Sequence, residues 1–219
     1  IESITEVIDS KSYVLSKNVL SFEENFSKIN NVKHVVGVGS GLDALIISLK
    51  ALGLVKGDEV IVASNAYIAS WLSISNVGAK IVPVEPDAKT FNIDSNKIEE
   101  KITSKTKVIM PVHLFGQACE MNEIIRIAKK HKLFVVEDNA QAHLAKHNNK
   151  LTGTFGTINA TSFYPTKNLG AIGEAGCVLT NQARLKNYAF SYRNYGSNKK
   201  YVNEIIGTNS RLDEIQAAI

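Results

Sequence analysis

Short apolar runs rich in Val and Ile alternate with stretches of helical apolar spacing, and this alternation is what most constrains the chain. The runs lie at residues 35–38, 59–62, 80–84, 107–112 and 133–136. Between them, residues 44–52, 67–77, 95–102 and 121–131 carry helical patterns. Neighbouring parallel strands need a long crossover, and a helix supplies one. The alternation predicts an α/β fold, a mostly parallel sheet with helices on both faces. Gly53 and Gly78 close two of the helices, and Ser95 reads as an N-cap. Lys129, Lys130 and His131 place positive charge in a last turn, where the helix dipole favours it.

The pattern changes from residue 151. Residues 160–164 and 176–180 read as two strands joined by a Gly-rich connection, and 184–190 as a helix. No internal repeat or linker divides the sequence, so one domain is expected over residues 1–219. The final run places Leu212, Ile215 and Ile219 at helical spacing with no cap beyond, which reads as a piece of a longer protein.

Composition narrows the function classes. At 44% hydrophobic and 21% charged residues the chain is neither disordered nor fibrous. Its 25 Lys+Arg and 21 Asp+Glu give a net charge of +4, spread without a basic stripe, so no nucleic-acid partner is expected. Cys119 and Cys177 form no Cys-x-x-Cys pair, and a reduced, cytoplasmic setting is the expectation. No leader pattern and no apolar run of membrane-spanning length is seen, so no membrane partner is expected. His113, His131, His143 and His147 match no zinc signature, and no metal is expected.

In an open α/β sheet, ligands bind outside the carboxyl ends of the strands. The residues there are Gly39-Ser40-Gly41, Ser64-Asn-Ala-Tyr67, His113-Leu-Phe-Gly116, Glu137-Asp138-Asn-Ala-Gln141 and Pro165-Thr-Lys167-Asn168. Gly39-Ser-Gly41 opens a helix directly after a strand. It reads as an anion site or as a plain tight turn. Leu42 stands where a dinucleotide fingerprint needs its last glycine, and no Gly-x-Ser-x-Gly elbow occurs. Asp138 lies just beyond the four apolar residues 133–136, so it reads either as a structural cap or ion pair or as a counter-ion for a ligand cation. Lys167 follows two aromatics and a proline. A lysine held stiffly at a strand end can become a nucleophile through desolvation, although a lone lysine is ordinarily a surface residue.

Together these residues carry a resemblance. The run from Ser162-Phe-Tyr-Pro-Thr-Lys167 through Gly176 resembles the Schiff-base lysine motif of the DegT/StrS-type sugar aminotransferases. Glu137-Asp138-Asn-Ala-Gln141-Ala-His143 is similar to their cofactor-ring motif, and Ser40-Gly-Leu-Asp-Ala-Leu45 to their phosphate turn. Arg193-Asn-Tyr-Gly-Ser197 and the run from Asn209 to Ala218 match two further blocks, in order along nearly the whole chain.

The resemblance implies the fold of the type I pyridoxal 5′-phosphate (PLP) enzymes: a large domain with a mostly parallel seven-stranded sheet, followed by a small C-terminal domain absent from these residues. It implies amino transfer from glutamate to a nucleotide-linked keto sugar by a homodimer with shared sites. The Gln141-Ala-His segment and Arg-Asn-Tyr-Gly-Ser are similar to the branch that aminates C3 of dTDP-linked 3-keto-6-deoxyhexoses, for surface polysaccharides such as O-antigen. Leu144 stands where that branch usually has glycine.

By resemblance, Lys167 holds PLP and moves the substrate proton, Asp138 pairs with the pyridine N–H⁺, and Gln141 bonds the phenolic oxygen. Tyr67 stacks on the ring, and Ser40, Gly41, Leu42 and Ser162 serve the phosphate. Asn194 reaches the phosphate from the neighbouring subunit. Tyr164 and His113 are candidates to face the sugar; His113 also reads as a satisfied core histidine. Two other functions on this scaffold are a PLP-dependent sugar dehydratase, whose lysine is replaced by histidine, and a non-catalytic PLP-binding regulator.

Overall fold

The computed structural model describes residues 1–219 except Lys200. Strands β1 (His34–Val38), β2 (Glu59–Ala63), β3 (Lys80–Val84), β4 (Thr106–Met110) and β5 (Phe134–Asp138) come first. A small hairpin follows, β6 (Lys146–His147) with β7 (Lys150–Leu151), and then β8 (Ile158–Ser162) and β9 (Gly176–Thr180). Seven of them form one sheet in the order β1-β9-β8-β5-β4-β2-β3. The pairings from β3 to β8 are parallel, whereas β9 runs antiparallel to both β8 and β1. The sheet is therefore mixed α/β and mainly parallel, as the alternation predicts. Pro83 sits in β3, an edge strand, where a missing N–H is tolerated.

Helices α1 (Glu2–Ser10) and α2 (Lys17–Asn30) precede β1. Crossovers are made by α3 (Gly41–Ala51), α4 (Ile68–Asn76) and α5 (Met121–His131), and α6 (Ala183–Tyr192) follows β9. A second small ribbon, β10 (Ser197–Lys199) with β11 (Val202–Asn203), precedes α7 (Glu214–Ala218).

Both faces of the sheet are buried, by simple alternation along each strand. Val60, Val62, Val108, Met110 and Val136 pack on one face with Leu45 and Leu49 of α3 and Ile74 of α4. Ile61, Ile109 and Val135 pack on the other with Ile124 and Ile127 of α5. At the β1–β9 end that second face is covered by α2 through Val19 and Phe26, against Cys177 and Leu179.

Several local expectations shift. Residues 95–102 form two 3₁₀ turns, Ser95–Lys97 and Glu99–Lys101, and the cap is Asp94, which accepts the Asn96 N–H at 3.0 Å. The fourth strand stops at Met110, before Pro111. The strand expected over residues 160–164 is β8, which ends at Ser162, so Phe163 leaves the sheet and packs edge-on against Phe22 and Phe26, each at 5.2 Å. The start of α2 is capped from far along the chain: Glu214 accepts the N–H groups of Ser16, Asn18 and Val19 at 2.6–3.1 Å.

Candidate active site

Strands β1, β5 and β8 end at one edge of the sheet, where β9 begins and α4 starts. A cleft of about 710 Å³ opens there. Its lining includes Ser40, Gly41, Leu42, Tyr67, Asp138, Gln141, Ser162, Tyr164 and Lys167, residues far apart in sequence. Thr161, Thr166 and Glu174, which the sequence reading does not single out, line it too.

The first wall is the start of α3. Ser40 is its N-cap, and its Oγ accepts the Asp43 N–H at 3.1 Å. The N–H groups of Gly41 and Leu42 have no acceptor among the described residues, which leaves two donors and the positive end of the helix dipole for an anion. A Cβ on Gly41 would lie 2.5 Å from Ser162 Cβ, and one on Gly176 would lie 2.4 Å from the Ser40 carbonyl carbon. Both positions need glycine for close approach. Ser210 braces the turn: its Oγ donates to Asp43 at 2.7 Å and accepts the Gly39 N–H at 3.0 Å.

The second wall is the end of β5. Asp138 is 5% exposed. One carboxylate oxygen accepts the Ala140 N–H at 3.1 Å, and the other accepts the Ser70 hydroxyl at 2.7 Å. A carboxylate has about four acceptor positions, so capacity remains for a donor in the cleft. Gln141 Oε1 accepts the Phe115 N–H at 2.8 Å. That bond fixes the amide orientation and leaves the NH₂ group as a donor.

The third wall is the β8–β9 connection. Its backbone is pinned by Phe163 N–H to Ala175 O, Ala171 N–H to Phe163 O and Lys167 N–H to Tyr164 O, each at 2.8 Å. Gln216 of α7 holds it from outside by accepting the Ile172 N–H at 2.9 Å. This frame carries half-buried Lys167 into the cleft, and no hydrogen bond or ion pair engages its Nζ among the described residues. Ser162 is 8% exposed, and its Oγ accepts the Tyr164 N–H at 3.3 Å, so its own proton is free to donate. Behind this loop His143 packs on Phe163, ring centroids 5.5 Å apart. Burial holds the His143 pKa below the usual histidine value; the Ser162 backbone opposes that shift and the Lys167 charge adds to it.

Two expected residues lie elsewhere. His113 does not face the cleft. It is completely buried, Nε2 donating to Glu137 at 2.9 Å and Nδ1 accepting the Cys119 N–H at 3.1 Å, and it is a satisfied core histidine. Asn194 does not line the cleft of its own chain; it pairs with Asn209, and its Oδ1 accepts from Arg211 at 3.0 Å. The Ser70 contact with Asp138 is one that the sequence gives no sign of, because the two are 68 residues apart. Cys119 and Cys177 are buried and free, and burial pushes both thiols up, away from nucleophilic use. Among the described residues no group of three or more His, Cys, Asp or Glu side chains is placed to hold a metal ion, and no helix is long and apolar enough to cross a membrane.

The model of the DegT/DnrJ/EryC1/StrS aminotransferase family matches residues 1–219, the whole chain. The chain belongs to that family. Among curated relatives it is 53% identical to a dTDP-3-amino-3,6-dideoxy-α-D-galactopyranose transaminase of Aneurinibacillus thermoaerophilus, with 100% of this chain and 60% of the relative aligned. Among solved structures it superposes on S. venezuelae DesV in complex with a ketimine intermediate, at TM-score 0.97 and 45% identity, covering 99% of this chain and 58% of DesV. It also superposes on NtdA from Bacillus subtilis with bound cofactor PMP, at TM-score 0.95 and 35% identity, covering 99% of this chain and 50% of NtdA. The chain thus spans between half and three-fifths of the length of these three proteins.

Proposed function

We propose that the cleft binds PLP and that the protein transfers an amino group from glutamate to the C3 keto group of a dTDP-linked 3-keto-6-deoxyhexose. The observation that carries this reading is the convergence in one cleft of an unpaired lysine, a carboxylate with spare acceptor capacity, an amide NH₂ and two free helix N–H groups. Each matches one functional group of the cofactor. When bound, PLP supplies a carbonyl that condenses with amines and a ring that takes up electron density.

Gly41 and Leu42 offer their N–H groups to the phosphate, and Ser162 adds a hydroxyl. Asp138 accepts from the protonated pyridine nitrogen, and its burial makes that charged pair strong. Gln141 donates to the phenolic oxygen. Tyr67, on the cleft wall, covers a ring face. Lys167 Nζ anchors the cofactor and carries the proton removed from the amino donor's Cα. Tyr164 stands where the sugar enters. Lys167 favours amino transfer over the dehydratase chemistry of the histidine-bearing branch. The dTDP sugar and the C3 position rest on the transaminase relative and on the sequence blocks around His143 and Asn194.

In this reading the protein works in the cytoplasm as a homodimer. Asn194, outside its own cleft, serves the phosphate of the partner's site. The decisive assay incubates the PLP-loaded protein with glutamate and a dTDP-3-keto-6-deoxyhexose. Equal yields of 2-oxoglutarate and the 3-amino sugar, read by mass spectrometry, support it. A 3-deoxy product, or bound PLP with no turnover, rejects it.

A further inference from the structure

We infer that Ser70 is a positioning residue for the reaction: it holds the Asp138 carboxylate in the single orientation that presents a lone pair to the cleft. The inference rests on the PLP reading above. Ser70 lies in the first turn of α4, three residues after Tyr67, and is completely buried. Its backbone N–H is already used by Tyr67 O at 3.0 Å, and its carbonyl by the Ser73 hydroxyl at 2.7 Å. The side chain has no helix-internal role: Oγ donates across the cleft floor to Asp138 Oδ2 at 2.7 Å, the length of a strong charge-assisted bond.

The geometry gives this bond a task that packing alone does not require. The carboxylate turns about an sp³–sp² torsion, a broad and roughly two-fold well that is weakly held without partners. Ala140 N–H fixes one oxygen and Ser70 fixes the other, so the plane of the carboxylate is set from two directions. One turn of α4 thus carries both the aromatic that lines the cleft and the hydroxyl that aims its acid. The other charged or titratable side chains lining the cleft are Lys167, Glu174, Tyr67 and Tyr164. Glu137 and His113 pair with each other on the far side of the β5 end. Among the described residues, none of these side chains is hydrogen-bonded to the Asp138 carboxylate; His113 meets Asp138 only through its backbone N–H, which donates to the Asp138 carbonyl at 3.2 Å.

Without Ser70 the carboxylate swings, and a cofactor ring nitrogen loses its counter-ion for part of the time. The test loads Ser70→Ala, Ser70→Cys and Ser70→Thr with PLP, titrates the cofactor absorbance with pH, and measures kcat and KM for glutamate. Ser70→Ala and the near-isosteric, weakly donating Ser70→Cys should lower kcat by about tenfold or more with KM within about threefold. Their absorbance midpoint should shift by about half a pH unit or more. Ser70→Thr, which keeps the hydroxyl, should restore both. The cysteine and threonine forms carry the test if the alanine form folds poorly. A midpoint and kcat unchanged in Ser70→Ala or Ser70→Cys overturn the inference. No cofactor absorbance in the unsubstituted protein removes the PLP reading and this inference with it, whereas a normal band with an insensitive midpoint removes the inference alone.

Discussion

Glu137 and Asp138 are neighbours at the end of β5, both acidic and both buried, yet their surroundings differ. Glu137 points away from the cleft and is saturated. It accepts from His113 at 2.9 Å and from the N–H groups of Gly153, Phe155 and Gly156 at 2.6–2.7 Å. Asp138 points into the cleft and has two protein donors. Four donors make a carboxylate a staple that ties a loop to a strand; two leave it able to bind something else. Adjacent strand residues face opposite sides, so one sequence step separates a structural acid from a chemical one.

The comparison breaks most sharply at the group facing Asp138 across the cleft. Lys167→Ala should abolish turnover, with circular dichroism and melting temperature close to the parent, because no hydrogen bond or ion pair of its Nζ with the described residues is lost. Residual amino transfer above background would contradict that role. Asp138→Asn should cost on the order of 10²-fold or more in kcat while PLP stays bound, since an amide cannot stabilise a pyridinium charge. Equilibrium dialysis of PLP beside steady-state kinetics separates the two effects.

Glu137→Gln should do the reverse. It turns one acceptor into a donor facing N–H groups, which costs roughly 3 kcal/mol of stability. His113→Phe should lose about 2 kcal/mol for the same network. Urea unfolding reads both. A selective rise in sugar KM for His113→Phe, at unchanged stability, would return that histidine to the substrate site.

The smallest effect belongs to Leu144, whose backbone sits at φ 61°, in the left-handed region where glycine is at ease. Leu144→Gly should stabilise the protein by about 0.5–1 kcal/mol, the relieved strain less the added freedom of the unfolded chain. Equal or lower stability in the same urea series would show that the half-exposed leucine side chain contributes more than the strain removes.

How much of this was readable from the sequence follows from the range of the forces involved. The alternation of strands and helices is local, and so it yields the sheet and places Lys167, Asp138 and Gly41 at strand ends. Which way a strand-end side chain turns is not local. His113 lies just beyond the end of β4 and turns inward because Glu137, a strand away, is there to receive it. Phe163 leaves the sheet for two aromatics of α2, and Ser70 finds Asp138 across the cleft floor. Leu144 is the intermediate case, where a departure from the usual glycine corresponds to a visible backbone strain.

The central claim is that Lys167 holds the cofactor. Borohydride treatment of the PLP-loaded protein, followed by peptide mass mapping, tests it directly. A phosphopyridoxyl mass is expected on the peptide containing Lys167 and on no other. Label on a different lysine, or none after reduction of a protein that carries PLP, would contradict it.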